Sequence, residues 1–249
     1  MKAPNEIIQV WRKFDGFPME TLTKVWHHRR AGRKKQRSLS EMKEHRDQYG
    51  ISGNCFDLSI WLLDEFDRAG IEAYPIGLDH GAVIARDQNG RRFLCDLGDQ
   101  WLMPILIDTD DEQFTNARLK EFFPGAEISV EPADDGVKIT YHRPNGKYSS
   151  QIYQTAPLDR NEFLAAAEHS QNTIHPKPLV ETRVQLPGET AHWEFYDWRS
   201  FLSTNSGLVH DRDADSLEEW TERICAKTGY DEAFVTEALS IYEKMTGEK

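Results

Sequence analysis

A thiol at Cys55, an imidazole at His80 and a carboxylate at Asp96 follow one another in this order along the chain. Together they are the equipment of covalent acyl chemistry: the sulfur attacks, the ring moves the proton, and the acid orients the ring. Cysteine attacks only as thiolate. Cys55 follows Asn54 at the start of the most apolar helical stretch of the sequence, where unpaired amides and the positive end of the helix dipole favour an anion. Position alone is a weak signal, because unreactive cysteines are common in cores. Cys95, inside a strand pattern, and Cys225, on the inner side of a late helix, read as packing residues.

His80 heads the apolar segment Gly81-Ala82-Val83-Ile84, and Asp96 lies in Phe93-Leu94-Cys95-Asp96-Leu97, where an unpaired charge is costly. These two segments flank Asp87-Gln88-Asn89-Gly90-Arg91, a hairpin signal. With a loop over 87–91, Arg86 faces Arg92, Ala82 faces Asp96 and His80 faces Gly98, so His80 and Asp96 share one sheet face as diagonal neighbours. A tight Asn89-Gly90 turn would instead send them to opposite faces. A working Cys-His-Asp set therefore predicts the longer loop. The plain alternative is a core histidine in a structural ion pair.

The elements that must position these groups follow from periodicity. Ile7, Val10, Trp11 and Phe14 form one stripe of a helix, and Met19 to His28 reads as a second, with Leu22, Val25 and Trp26 inward. Ser38 to Tyr49 is a polar helix closed by Gly50. Cys55 to Ala69 is a central helix closed by Gly70, apolar through Phe56, Ile60, Trp61, Leu63 and Phe66. Beyond Gly70 the period drops to that of strands. Turns at Asp135-Gly136 and Pro144-Asn145-Gly146 separate strands at about 126–132, 137–142 and 147–154, a meander expected to form part of a barrel. Leu158 to His169 reads as a helix, Leu179–Leu186 and Trp193–Trp198 as strands, and Ser216-Leu217-Glu218-Glu219 as a capping box opening a helical tail with Trp220 and Ile224 inward. The expected class is α+β, with a helical lobe over 1–75 carrying the nucleophile, a β-barrel over 76–190 carrying His80 and Asp96, and a strand with lid helices over 191–249.

With 30 basic against 42 acidic residues and a formal charge of −12, the chain is a poor partner for phosphate backbones, which excludes general nucleic-acid binding. The run Arg29–Arg37 reads as solvated surface or as a docking patch for a phosphorylated ligand. No apolar run matches a membrane span, the first residues lack the apolar centre of a signal peptide, and three unpatterned cysteines suit a reducing compartment, so a cytoplasmic protein without membrane contact is expected. No metal is expected: adjacent His27 and His28 cannot face one ion, and Asp108-Asp110-Asp111-Glu112 reads as a solvated loop. Trp193, Phe195 and Trp198 read as core filling.

The segment Gly53-Asn54-Cys55-Phe56-Asp57-Leu58 resembles the Arg-Gly-Gly-x-Cys-Phe-Glu-Leu-Asn segment of the arylamine N-acetyltransferases. His80-Gly81-Ala82-Val83-Ile84-Ala85 and Phe93-Leu94-Cys95-Asp96-Leu97-Gly98 are similar to that family's His strand and its Leu-Val-Asp-Val-Gly-Phe-Gly strand. Phe14-Asp15-Gly16, Glu20-Thr21-Leu22 and His28 are similar to its opening helices. The resemblance implies a papain-like cysteine core with an N-terminal helical lobe, an antiparallel β-barrel and a C-terminal α-rich lobe. It also implies acetyl-CoA as acyl donor and transfer through Cys55 to a small-molecule amine acceptor. On it, Cys55 is the acylated nucleophile, His80 the general base and Asp96 its orienter, while Gly53, Phe56 and the loop of Gly98, Gln100 and Trp101 shape the acyl and coenzyme A site.

The sequence also departs from that pattern. It lacks a Pro-Phe-Glu-Asn segment, and Ile51 stands where an Arg precedes the glycines, so the ion pair formed near the nucleophile is expected to be missing. Gly98-Asp99-Gln100-Trp101 places an extra carboxylate where a polyanionic donor would approach, and the Cys55–His80 connection is short, which removes wall from the acceptor pocket. Two other readings stay open. One is a transglutaminase-like amidase or peptidase that uses the same three groups without coenzyme A. The other is a non-catalytic binding protein that kept the fold.

Overall fold

The computed structural model describes residues 1–30 and 35–247. The chain opens with α1 (Asn5–Trp11) and a single 3-10 turn, then β1 (Met19–Glu20), α2 (Leu22–Arg30), α3 (Leu39–Tyr49) and α4 (Cys55–Arg68). Ile7, Val10, Trp11 and Phe14 are all buried along one stripe, as their spacing predicts. The second helix starts later than expected. Met19 and Glu20 pair with Glu181 and Val180 as a short strand, and the Glu20 carboxylate accepts the Thr23 N–H at 2.7 Å, which starts the helix at Leu22.

Helix α3 has a full capping box at Ser38 and ends at Gly50, whose φ of 71° lies in the left-handed region that glycine adopts without strain. Helix α4 is capped more firmly. The Asn54 side chain accepts from the amides of Phe56 and Asp57, and the Asp57 carboxylate accepts the Asn54 N–H in return. This reciprocal cap makes Cys55 the first residue of the helix. Phe56, Leu58, Leu62 and Phe66 are buried along α4, each contributing about 1.5–3 kcal/mol by leaving water.

The strands form three antiparallel sheets. One contains β2 (Ala73–Ile76), β3 (Ala82–Arg86), β4 (Arg92–Cys95) and β5 (Ile105–Leu106) in that order. A second contains β6 (Leu119–Phe123), β7 (Ala126–Ala133), β8 (Gly136–His142) and β9 (Tyr148–Gln154), close to the meander that the turn signals predict. After α5 (Arg160–Asn172), the chain adds β10 (Leu179–Leu186), β11 (Glu189–Tyr196), β12 (Arg199–Thr204) and β13 (Gly207–His210), with β1 on the outer side of β10. Strand β11 stops at Tyr196 rather than Trp198. Asp197 and Trp198 have φ of 50° and 61°, and Tyr196 pairs with Arg199, so these two residues form the hairpin turn.

Helices α6 (Leu217–Thr228), capped by Ser216, and α7 (Glu232–Gly247) close the chain. They pack on the sheet face presented by Val180, Trp193 and Phe195, and Leu22 and Trp26 of α2 join the same cluster. A larger cluster joins α1 and α4 to the β2–β5 sheet and the inner side of β7–β9. Among the described residues no helix is long and apolar enough to cross a membrane.

Leu94 has no exposure and pairs with both Ile84 and Ile105 in the middle of the sheet that carries the site. Leu94→Ala should lower the unfolding free energy by about 2–5 kcal/mol in urea titration. A loss under about 1 kcal/mol would mean the sheet is loosely packed.

Candidate active site

The β3–β4 register brings two of the three groups, His80 and Asp96, together. Arg86 pairs with Arg92 and Val83 with Cys95, which is the register of the 87–91 loop and excludes the tight Asn89-Gly90 turn. Asp87 holds that loop by accepting from the amides of Asn89 and Arg91 and from the Arg91 side chain. At the open end of the hairpin, His80 Nε2 lies 2.7 Å from Asp96 Oδ2.

The sulfur-bearing residue arrives from α4. A Cβ placed on Gly98 would lie 2.6 Å from His80 Cε1, 2.7 Å from Cys55 Cβ and 3.1 Å from Asp96 Oδ1. Three groups distant in sequence thus close on one point, and only a glycine fits there. Gly81 plays a similar part. A Cβ on it would stand 3.0 Å from Phe56 Cδ1, so its missing side chain lets the head of β3 pass against the first turn of α4. His80 keeps a partly exposed edge, while Asp96 has none.

Electrostatics follow from that enclosure. Burial works against a charged His80, but the negative charges of Asp96 and Cys55 and hydrogen bonds to both outweigh it and hold the ring well above its ordinary 6.5. Burial also works against a charged Asp96. The charge and hydrogen bond of His80, the Asp99 amide at 3.0 Å and the Tyr153 hydroxyl at 2.7 Å overcome this and leave the carboxyl below its ordinary 3.8. Asp99 behaves oppositely: burial and the neighbouring Asp96 charge push it up. Its Oδ1 lies 3.6 Å from His80 Nε2, and its Oδ2 is reached by Tyr141 at 2.9 Å and Tyr153 at 3.2 Å. His80, Asp96 and Asp99 offer donor atoms within 4.8 Å of one another, a spacing that a metal ion could bridge. Here those atoms are engaged with each other and with the two tyrosines.

Against the first turn of α4 lies an ion pair that the sequence reading expected to be missing. Arg37 and Asp57 side chains are 0% and 1% exposed, and Arg37 Nη2 donates to Asp57 Oδ2 and to the Ser52 carbonyl, each at 2.9 Å. Glu20, also fully buried, donates its backbone N–H to the Gly53 carbonyl at 2.9 Å. The charges are therefore displaced to other positions. Arg37 also departs from the solvated surface or docking patch expected of the run 29–37. Of that run, Arg30 pairs with Glu237, and Arg33 and Lys34 lie outside the described residues.

The residues expected to line a ligand site are placed unevenly. Gly98 stands between the three reactive groups. Gly53 is pressed against Asp57 and Arg37, and Phe56 is buried beside Phe163 at a ring distance of 5.3 Å. Gln100 and Trp101 have no exposure, and the Gln100 amide donates to the Phe17 and Leu97 carbonyls, so both are core residues that hold the Gly98 loop from inside. The residue of this loop that faces outward is Asp99, which lines a cleft with Tyr141, Glu181 and Glu194. Sequence reasoning missed Tyr141 and Tyr153, since alternate tyrosines on a meander look like packing. It also missed Lys24 of α2, which lies within electrostatic reach of Cys55 and donates to Ser170 Oγ at 2.9 Å.

No family model and no curated protein sequence matches the chain. Solved structures do. The arylamine N-acetyltransferase from Mycobacterium tuberculosis is similar with a TM-score of 0.72 and 14% identity, over 96% of this chain and 91% of that one. The enzyme from Mycobacterium abscessus matches at 0.71 and 15%, over 96% and 91%. The Mycobacterium marinum enzyme, solved in complex with CoA, matches at 0.71 and 11%, over 97% and 94%. The chain therefore has the arylamine N-acetyltransferase fold over nearly its whole length, as the sequence resemblance implies.

The opposite shifts of His80 and Asp96 define a pH window for stability. The raised ring stabilises the fold fully below 6.5 and loses that contribution as pH rises through its folded value. The lowered carboxyl contributes above 3.8 and loses it as pH falls through its folded value. The stability advantage of the wild type over Asp96→Asn should peak between these limits in thermal melts across pH. An advantage that stays flat would mean the pair is not ionised. Arg37→Met, which leaves Asp57 buried without its cation, should cost about 3–5 kcal/mol by denaturant titration.

Proposed function

We propose that this protein is an acyltransferase that moves an acetyl or other acyl group from a coenzyme A thioester through Cys55 to an amine. The observation that carries the reading is the closure of Cys55, His80 and Asp96 on the single point beside Gly98. The shared fold supports it, as does the CoA complex of the Mycobacterium marinum protein.

In the proposed reaction Asp96 fixes the ring through Nε2, which leaves Nδ1 to take the Cys55 proton. The sulfur attacks the thioester carbonyl, the bond from carbonyl carbon to coenzyme A sulfur breaks, and the departing thiolate takes the proton from His80. The amine then attacks the Cys55 thioester and gives a proton to His80, which returns it to the sulfur as the amide leaves. Asp96 stays ionised throughout, because its three donors favour the anion. In this reading Gly53 and Phe56 shape the floor under the sulfur, and Gly98, with Gln100 and Trp101 behind it, forms the acyl wall. Arg143 and Lys147, exposed along the cleft that Asp99 lines, suit the phosphates of the donor.

Incubation with acetyl-CoA should add one acetyl group to the wild type by intact mass and none to Cys55→Ala. An unmodified wild type across several acyl-CoA donors would overturn the reading. Gly98→Ala, which removes no polar group, should slow acylation about 10²-fold by forcing the sulfur and ring apart; an unchanged rate would mean that this geometry is not the reacting one.

A further inference from the structure

Glu181 of β10 stands directly opposite Glu194 of β11. Like charges in that relation weaken a sheet. Neither carboxylate has a hydrogen bond or an ion pair among the described residues. Both line a cleft of about 500 Å³ between this face of the β10–β13 sheet and the β7–β9 strands. Asp99 also lines it, 3.6 Å from His80, so the cleft reaches the neighbourhood of the His80–Asp96 pair. Burial, then the charges of Glu194, Asp99 and Asp96, push the Glu181 carboxyl well above the ordinary carboxylate range against the pull of His80, and burial raises Glu194 against the pull of Arg143, so a cation seated between them would relieve both.

A second observation concerns hydrogen bonding. His192, on the same face of β11 as Glu194, is 8% exposed, lines the cleft, and has an Nε2 without any hydrogen-bond partner. Burial and the Arg143 charge pull its pKa down to about 4, so the ring is neutral, one nitrogen donating and the other offering a lone pair. The groups lacking partners here are two carboxylates and a neutral imidazole able to accept. What they lack is a ligand with N–H donors and positive charge. Arg143 eases the Glu194 charge from a distance but forms no ion pair with it: the residue is exposed and its Nη1 donates to Ser149 Oγ at 2.9 Å. Phe123 and Phe201 supply apolar wall between the charged ends.

We propose that this cleft selects an acceptor amine carrying a second, cationic amine, with the ammonium held between Glu181 and Glu194 and the reacting amine directed past Asp99 to Cys55. An aliphatic diamine or polyamine has this chemistry, whereas a neutral aromatic amine does not. The inference rests on the acyltransferase reading for the identity of the reacting end, but the cation seat is measurable without any acyl transfer.

Calorimetric titration of the full chain with a linear alkane diamine should give binding about tenfold tighter than the amino alcohol of equal length, the order of one partly desolvated ion pair. The preference should vanish in Glu181→Gln/Glu194→Gln, and the melting temperature of that variant should equal or exceed the wild type's, because a like-charge pair is removed. The same pair of amines should then show the same preference in discharging the acetyl group from Cys55, read by intact mass. Equal binding of the two amines, or a preference that survives the double substitution, overturns the inference even if Cys55 is acetylated. Failure of Cys55 to acetylate, with the diamine preference intact, overturns the acyltransferase reading and leaves the cation seat standing.

Discussion

The site depends on a carboxylate with no access to water. An unpaired Asp96 would take up a proton rather than stay charged where it is. Its three donors come from separate parts of the chain: His80 before β3, the Asp99 amide in the loop after β4, and Tyr153 in β9 of a different sheet. Asp96 therefore does two things at once. It fixes the His80 ring that stands beside Cys55, and it ties the β2–β5 sheet to the β6–β9 sheet. A change in any of its donors alters the charge of the site as well as its shape.

The parts of this arrangement that could be read from sequence are those fixed by short-range rules. The 87–91 loop follows from residues that compete for one Asp87 carboxylate. The start of α4 follows from Asn54 and Asp57, a local cap. The meander follows from turn residues at β spacing. What could not be read are contacts between elements far apart in sequence. Tyr153 differs from its neighbours only in what the fold places opposite its hydroxyl. Met19-Glu20 looked helical because nothing local announces that β10 will pair with them.

Arg37 illustrates the same limit from the side of charge. In sequence it is one of a basic run, and such runs are usually solvated. In the structure its side chain is enclosed, and its partner is the Asp57 that also closes the cap of α4. Asp57 is thus charged, buried and shared between a helix start and an ion pair. This arrangement fixes the first turn of α4, where Cys55 sits, from two sides. A buried ion pair adds little net stability compared with an apolar pair. Its value here is positional, since the turn it holds presents the sulfur.

An acidic cleft beside a site for a polyanionic donor looks contradictory, and the order of events in the proposed reaction removes the contradiction. The donor needs only its uncharged thioester end beside Gly98, and its phosphates can stay with Arg143 and Lys147, the exposed basic residues of the same cleft. Once the acyl group is on sulfur, coenzyme A leaves as the protonated thiol with its phosphates still negative, and the nearby carboxylates disfavour its return. The same field attracts a cation. One set of carboxylates can therefore favour release of the first product and entry of the second substrate, at the cost of a sheet that holds like charges face to face. Strain of that kind in an otherwise well-paired β10–β11 ladder is what a binding site, rather than a core, would retain.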